Sequence, residues 1–136
     1  MPTHRISRTS GFTLIDILVV VIILGILATV IISQFGSASK DAKLASLRYT
    51  VNVVQEQLEI YRFQTNSRPS VDNFWLQLSD RQVVDGKNVG PWIMMAAVNP
   101  FSGGTTVGAS SASGFAWAYD LENNRFYGNA AGTWIP

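Results

Sequence analysis

From Ile17 to Ile32 every residue is apolar or glycine except Thr29. A run of that length is too long for a β-strand. A small water-soluble domain also has too little core to cover such a segment on all sides. The stretch 14–32, at about 1.5 Å per residue, reaches roughly 28 Å, close to the hydrocarbon thickness of a bilayer. It therefore predicts one helix that crosses a lipid bilayer in a single pass. The chain is 47% hydrophobic and 14% charged, and much of that apolar content sits in this run. What remains is a rather polar small domain with a modest core.

The flanking charges orient the span. His4, Arg5 and Arg8 precede it, and positions 1–11 hold no acidic residue. By the positive-inside rule the N-terminus stays cytoplasmic, and the C-terminal hundred residues lie outside the cytoplasm. A cleaved secretory signal is the alternative. Its apolar region spans about 7–15 residues and ends at a small-x-small site. The run here is longer, and Ser37-Ala38-Ser39 is the one candidate for such a site.

Asp16 stands within the first turns of the apolar segment. An ionised carboxylate there is either hydrated at the interface or paired with a cation. The span contains no Lys or Arg, so a cationic partner has to come from elsewhere. A newly created N-terminal amine would serve.

Gly11-Phe12-Thr13-Leu14-Ile15-Asp16, running into Ile17-Leu18-Val19-Val20-Val21-Ile22-Ile23-Leu24-Gly25-Ile26-Leu27-Ala28, closely resembles the N-terminus of type IV prepilins and type II secretion pseudopilins. The resemblance implies that a prepilin peptidase cuts between Gly11 and Phe12 on the cytoplasmic side and N-methylates Phe12. It implies a charge pair between Asp16 and the Phe12 amine, since Asp16 is fifth when Phe12 is counted as first. It further implies a homo-oligomeric helical filament, built by an inner-membrane assembly platform and its ATPase. The family normally has Glu at this fifth position. Asp keeps the charge on a side chain one methylene shorter. Many relatives carry Pro where this chain has Ser33, and without it the helix keeps its backbone N–H there. Tyr61 with Pro69, Gly90-Pro91-Trp92, Asn99-Pro100-Phe101 and Phe115-Ala116-Trp117-Ala118-Tyr119-Asp120 resemble parts of the major pseudopilin beyond the membrane.

The implied fold is α+β and pilin-like: a long N-terminal assembly helix with a small β-containing head. Residues 1–11 form a cleaved cytoplasmic leader and 12–35 the transmembrane, filament-core helix. Residues 36–65 form its soluble half and 66–136 the periplasmic head. Leu44, Leu47, Val51, Val54, Leu58 and Tyr61 recur at spacings of three and four, one apolar stripe on a helix. The stripe serves either to pack under the chain's own head or to meet a coiled-coil partner. Glu59 and Arg62 are placed for an i,i+3 pair. Ala38, Ala42 and Ala45 make a small-residue face that either admits another helix or is only good helix former. Asn66-Ser67-Arg68-Pro69 ends the helix. Residues 71–81 read as a short helix capped by Asp72, with Phe74, Trp75 and Leu78 inward. Asp85-Gly86-Lys87 signals a turn. Residues 102–114, rich in Gly, Ser and Thr, read as a variable loop. Phe115–Asp120 and Arg125–Gly128 read as a β-hairpin, with Thr133-Trp134-Ile135 a last edge strand.

The inventory of reactive groups is thin. Cysteine is absent and the single histidine is His4. Disulfides, Cys–His dyads and Cys-ligated zinc are excluded, and loss of the leader would exclude any histidine chemistry. No phosphate-binding glycine loop is present, and a scattered net charge of +1 gives no nucleic-acid footprint. The chain therefore reads as no enzyme. No cofactor is expected, with calcium the one exception weighed. Asp120 and Glu122, beside Asn123 and Asn124, supply oxygen donors close together, although Ca²⁺ takes six to eight and the same residues suit a hairpin turn. Trp92, Phe101, Trp117, Tyr119, Phe126, Tyr127 and Trp134 either supply a cysteine-free core or form a ligand surface. The expected function is a type II secretion pseudopilin. The alternatives are a surface type IV pilin for adhesion, motility or DNA uptake, and a signal-anchored binding protein that never polymerises.

Overall fold

The computed structural model describes residues 11–109 and 114–136. Helix α1 covers Leu14–Thr65. It is followed by α2 (Phe74–Ser79), β1 (Gln82–Val84), β2 (Lys87–Val89), β3 (Val107–Gly108), β4 (Trp117–Asp120), β5 (Arg125–Ala130) and β6 (Thr133–Ile135). The architecture is the expected pilin-like α+β type. The chain divides into two compact units, one ending at Ser39 and one spanning Lys40–Pro136.

In the first unit, α1 presents its apolar side chains outward. All the large hydrophobic residues from Leu14 to Ile32 are exposed, and α1 is one helix long and apolar enough to cross a membrane. Helical structure continues without a break through position 33.

In the second unit, the stripe read from spacing is buried from Leu47 onward, while its first member, Leu44, is half-buried and outside the core cluster. Leu47, Val51, Val54, Leu58 and Tyr61 are almost fully buried, and they pack with Phe74, Leu78, Trp92, Trp117, Tyr119 and Phe126. The stripe therefore faces the chain's own head. Aromatic residues form half of this buried cluster. Phe74 and Phe126 stack at 5.2 Å between centroids, Trp117 and Phe126 at 5.3 Å. Tyr61 meets Trp92 edge-on at 4.6 Å. Phe101 packs against this core, and Tyr127 and Trp134 are half-buried. Helix α1 stops where Asn66 takes a positive φ of 52°, the left-handed step that ends many helices. The Thr65 hydroxyl donates to the Tyr61 carbonyl at 2.8 Å.

Three sequence readings need correction. The short helix forms only over Phe74–Ser79, and Asn73, not Asp72, stands at its N-cap without a side-chain capping bond. Its anchors are instead Phe74 and Leu78, which are buried, and the Trp75 indole, which donates to the Thr105 carbonyl at 2.5 Å. The 102–114 loop contains a strand, β3, which pairs in parallel with β4 through Val107↔Trp117 and Gly108↔Ala118. Burial against the core outweighs the loop-like composition there, since Gly108 is buried and Val107 packs on the cluster. Glu59 turns to the head, as described below, in place of the expected pairing along its helix with Arg62.

The other turns follow their chemistry. Asp85 and Gly86, with φ of 50° and 75°, make the two-residue connection between β1 and β2, as Asp-Gly favours. Strands β4 and β5 pair antiparallel from Trp117↔Gly128 to Asp120↔Arg125, and β6 adds beside β5. The four-stranded sheet has the order β3-β4-β5-β6.

Candidate assembly site and head clamp

Gly11, Phe12 and Thr13 precede α1, and all three are exposed. The first turn is closed by a reciprocal pair. The Thr13 N–H and Thr13 hydroxyl both donate to Asp16 Oδ2, at 2.9 and 2.6 Å. The Asp16 N–H donates back to the Thr13 hydroxyl oxygen at 3.3 Å and to its carbonyl at 3.1 Å. This is a capping box with Asp in the usual Glu place. The Asp16 carboxylate thus satisfies one backbone donor at the start of its own helix, a role not read from the sequence. The Thr-x-x-Asp spacing ahead of an apolar run was the available signal. Both donated bonds converge on Oδ2, and Oδ1 accepts none among the described residues. Phe12 lies one residue before the cap, so the structure brings Gly11, Phe12 and Asp16 to one helix end. Arg5 and Arg8 lie outside the described residues, as does His4.

Asp120 and Glu122 sit at the β4–β5 turn in different roles. Asp120 Oδ1 accepts the N–H groups of Glu122 and Asn123 at 3.0 and 3.1 Å, and Oδ2 accepts Asn123 Nδ2 at 2.7 Å. The Asn123 side chain and backbone N–H, the largest causes, hold the Asp120 carboxyl below the usual carboxylate range. The carboxylate closes an Asx-type turn. Glu122 is exposed. Among the described residues no group of three His, Cys, Asp or Glu side chains is placed to hold a metal ion.

The hairpin is tied to α1 by polar side chains. Gln55 Oε1 accepts the Phe126 N–H at 2.9 Å, while its Nε2 donates to the Asn124 carbonyl at 2.8 Å. Asn124 Nδ2 donates to Glu59 Oε1 at 2.9 Å. Asn124 is buried, and its Oδ1 accepts the Tyr119 hydroxyl at 2.7 Å. Asn99, also buried, donates to the Ala116 and Asn129 carbonyls and accepts the Phe101 N–H. These side chains have partners within the fold, as buried polar groups require.

Two proteins named type II secretion system core protein G are similar to this chain. The one from Pseudomonas aeruginosa is 39% identical over 63 residues, 46% of this chain and 44% of that protein. The one from Aeromonas hydrophila is 29% identical over 65 residues, 48% of this chain and 46% of that protein. The match thus spans slightly less than half the length of these curated relatives. No family model matches the chain, and no solved structure matches it significantly. The two likenesses support the pseudopilin family.

Proposed function

We propose that this protein is a structural subunit of a type IV pilus-like filament, specifically a type II secretion pseudopilin. The observation that carries this reading is an apolar helix exposed along its membrane-length stretch, with one carboxylate in its first turn beside Gly11-Phe12. In water such a helix has nothing to cover it. In a bilayer it is solvated by lipid, and in a filament core by copies of itself.

Assembly then proceeds as follows. The leader, with Arg5 and Arg8, stays in the cytoplasm while α1 spans the inner membrane. A prepilin peptidase cuts after Gly11, where the absent side chain lets an enzyme approach the backbone, and N-methylates Phe12. The new cationic amine meets Asp16 of its own or a neighbouring subunit at Oδ1, the oxygen outside the capping box. An unpaired charge in lipid is costly, so the pairing favours a subunit that docks at the correct axial step. Apolar contacts over Ile17–Ile32 bundle the helices, which carry their soluble units with them into the periplasm. The assembly platform and ATPase are separate proteins, and the chain itself catalyses nothing.

The test is intact-mass and N-terminal analysis of protein purified from membranes. The expected product begins at methylated Phe12. A chain that retains residues 1–11 in an intact secretion system would overturn the reading.

A further inference from the structure

Beyond Gly11 the chain carries sulfur at only two positions, Met94 and Met95. Cysteine is absent, and the remaining methionine, Met1, lies outside the described residues. Both sulfurs of this adjacent pair belong to surface side chains: Met94 is 90% and Met95 76% exposed. The backbone that bears them is anchored by other groups. On one side the Trp92 and Ile93 N–H groups both donate to the Leu78 carbonyl, at 2.9 and 3.2 Å, and the Trp92 indole donates to Gln64 Oε1 at 2.9 Å. On the other side the Ala97 carbonyl accepts the Trp117 indole N–H at 2.9 Å. Ile93 and Ala97 pack on the core, and the two thioethers between them take no part in that packing. The side chains that compete with thioethers for an oxidant are the four tryptophans. Trp92 and Trp117 are buried, and Trp75 and Trp134 are half-buried.

We propose that Met94–Met95 is an oxidant-accepting modification site, where a hydroperoxide turns both thioethers into sulfoxides while the fold stays intact. The proposal goes beyond the filament reading and does not depend on it. A sulfur lone pair attacks one peroxide oxygen. An S–O bond forms, the O–O bond breaks, and the departing oxygen takes up a proton and leaves as water or an alcohol. The sulfur is oxidised by one electron pair, and the peroxide is reduced by the same pair. The reagent has to reach the sulfur, so exposure sets which methionines react. Methionine oxidation damages a protein when a flexible apolar side chain turns polar inside a core. Here the core cluster contains no methionine, so the change is confined to the surface. An exposed apolar pair becomes a polar one, because each sulfoxide oxygen accepts hydrogen bonds that a thioether accepts only weakly. The same exposure admits methionine sulfoxide reductases. They release the oxygen as water while a dithiol is oxidised to a disulfide, which makes the modification reversible.

The test uses the full-length chain in detergent, treated with a low dose of hydrogen peroxide and mapped by peptide mass spectrometry. Met94 and Met95 are expected to gain one oxygen each, at a rate within about threefold of that in the same chain unfolded in urea. The tryptophans should gain none, and thermal unfolding of the soluble unit should not shift. The two epimer-specific reductases with a dithiol should together remove the added oxygen. Met94→Leu/Met95→Leu should unfold at the same temperature and take up no oxygen between residues 11 and 136 at the same dose. Reaction more than about tenfold slower than in the unfolded chain would mean that the sulfurs are covered, and would overturn the proposal. A lowered unfolding temperature after oxidation, or in the Leu variant, would overturn it too, since the thioethers would then be holding the fold. Oxygen on tryptophan ahead of the methionines, or oxygen that the reductases cannot remove, would be equally fatal to it.

Discussion

A Cβ on Gly128 would lie 2.7 Å from Leu47 Cδ1 and 2.8 Å from Leu47 Cγ. Leu47 is fully buried on α1, and Gly128 sits in β5 opposite Trp117. The helix comes close to the sheet here because the strand has no side chain at this point. Gly128→Ala should therefore destabilise the soluble unit by about 1–3 kcal/mol through overpacking. Leu47→Ala alone should cost about 2–5 kcal/mol as a cavity. Combining them should cost less than the sum, because the new methyl occupies space that Leu47 vacates. Denaturant melts of the four chains check this, and strict additivity would contradict the close approach.

The Tyr119–Asn124 bond makes a second prediction. Both residues are buried, and burial, the largest cause, pushes the Tyr119 hydroxyl from 10.0 up to about 12. The fold thus favours the protonated phenol. Its contribution to stability is fully present below about pH 10 and is lost as pH rises toward 12, where the unfolded chain has already released the proton. Tyr119→Phe should cost about 0.5–1.5 kcal/mol at neutral pH and flatten that alkaline decline. Asn124→Leu should cost more, about 1–3 kcal/mol, since it strands the buried hydroxyl. Stability measured from pH 8 to 12 in the three chains tests both.

Where one physical signal dominates, the sequence was readable. Leu47, Val51, Val54, Leu58 and Tyr61 are buried as their spacing indicates, because nothing competes with a single apolar stripe. The β4–β5 hairpin and the last edge strand also formed where alternation and turn residues placed them. Strand β3 was hidden because two residues carry no period, and their pairing depends on Trp117, a residue distant in sequence. The cap of α2 was misplaced because Phe74 and Leu78 anchor that helix by burial, so its start follows packing and not a capping side chain. At the candidate assembly site, the Thr13 engagement of Asp16 shows in the sequence only as a Thr-x-x-Asp spacing, which does not by itself say whether the carboxylate caps its helix or pairs with a charge.

Asp120 provides an acid-side test. Its depressed carboxyl, held by Asn123 and the Glu122 N–H, contributes stability above the ordinary value of 3.8. That contribution is lost as pH falls through the lowered folded value. Asp120→Asn retains an acceptor for the two backbone N–H groups and should keep the turn while removing this acid dependence. Asp120→Ala should open the turn at all pH values. Amide hydrogen exchange at Glu122 and Asn123 reads the difference, with fast exchange expected in the Ala variant only. Equal protection in both variants would mean the carboxylate does not close the turn.

At Asp16 the capping contact with Thr13 and the proposed charge pairing can be separated. The capping box needs an acceptor, whereas pairing with the Phe12 amine needs a negative charge. Asp16→Asn keeps an acceptor for the Thr13 N–H and hydroxyl but carries no charge. Asp16→Ala removes both, and Asp16→Glu restores the charge on a longer arm. If charge pairing drives docking, Asn and Ala variants should both be processed to Phe12 and inserted, yet form few filaments, while the Glu variant assembles. Intact mass reports the processing and electron microscopy reports the filaments. Should the Asn variant polymerise like the unmodified chain while the Ala variant fails, helix capping, rather than the ion pair, would be what assembly requires of this residue.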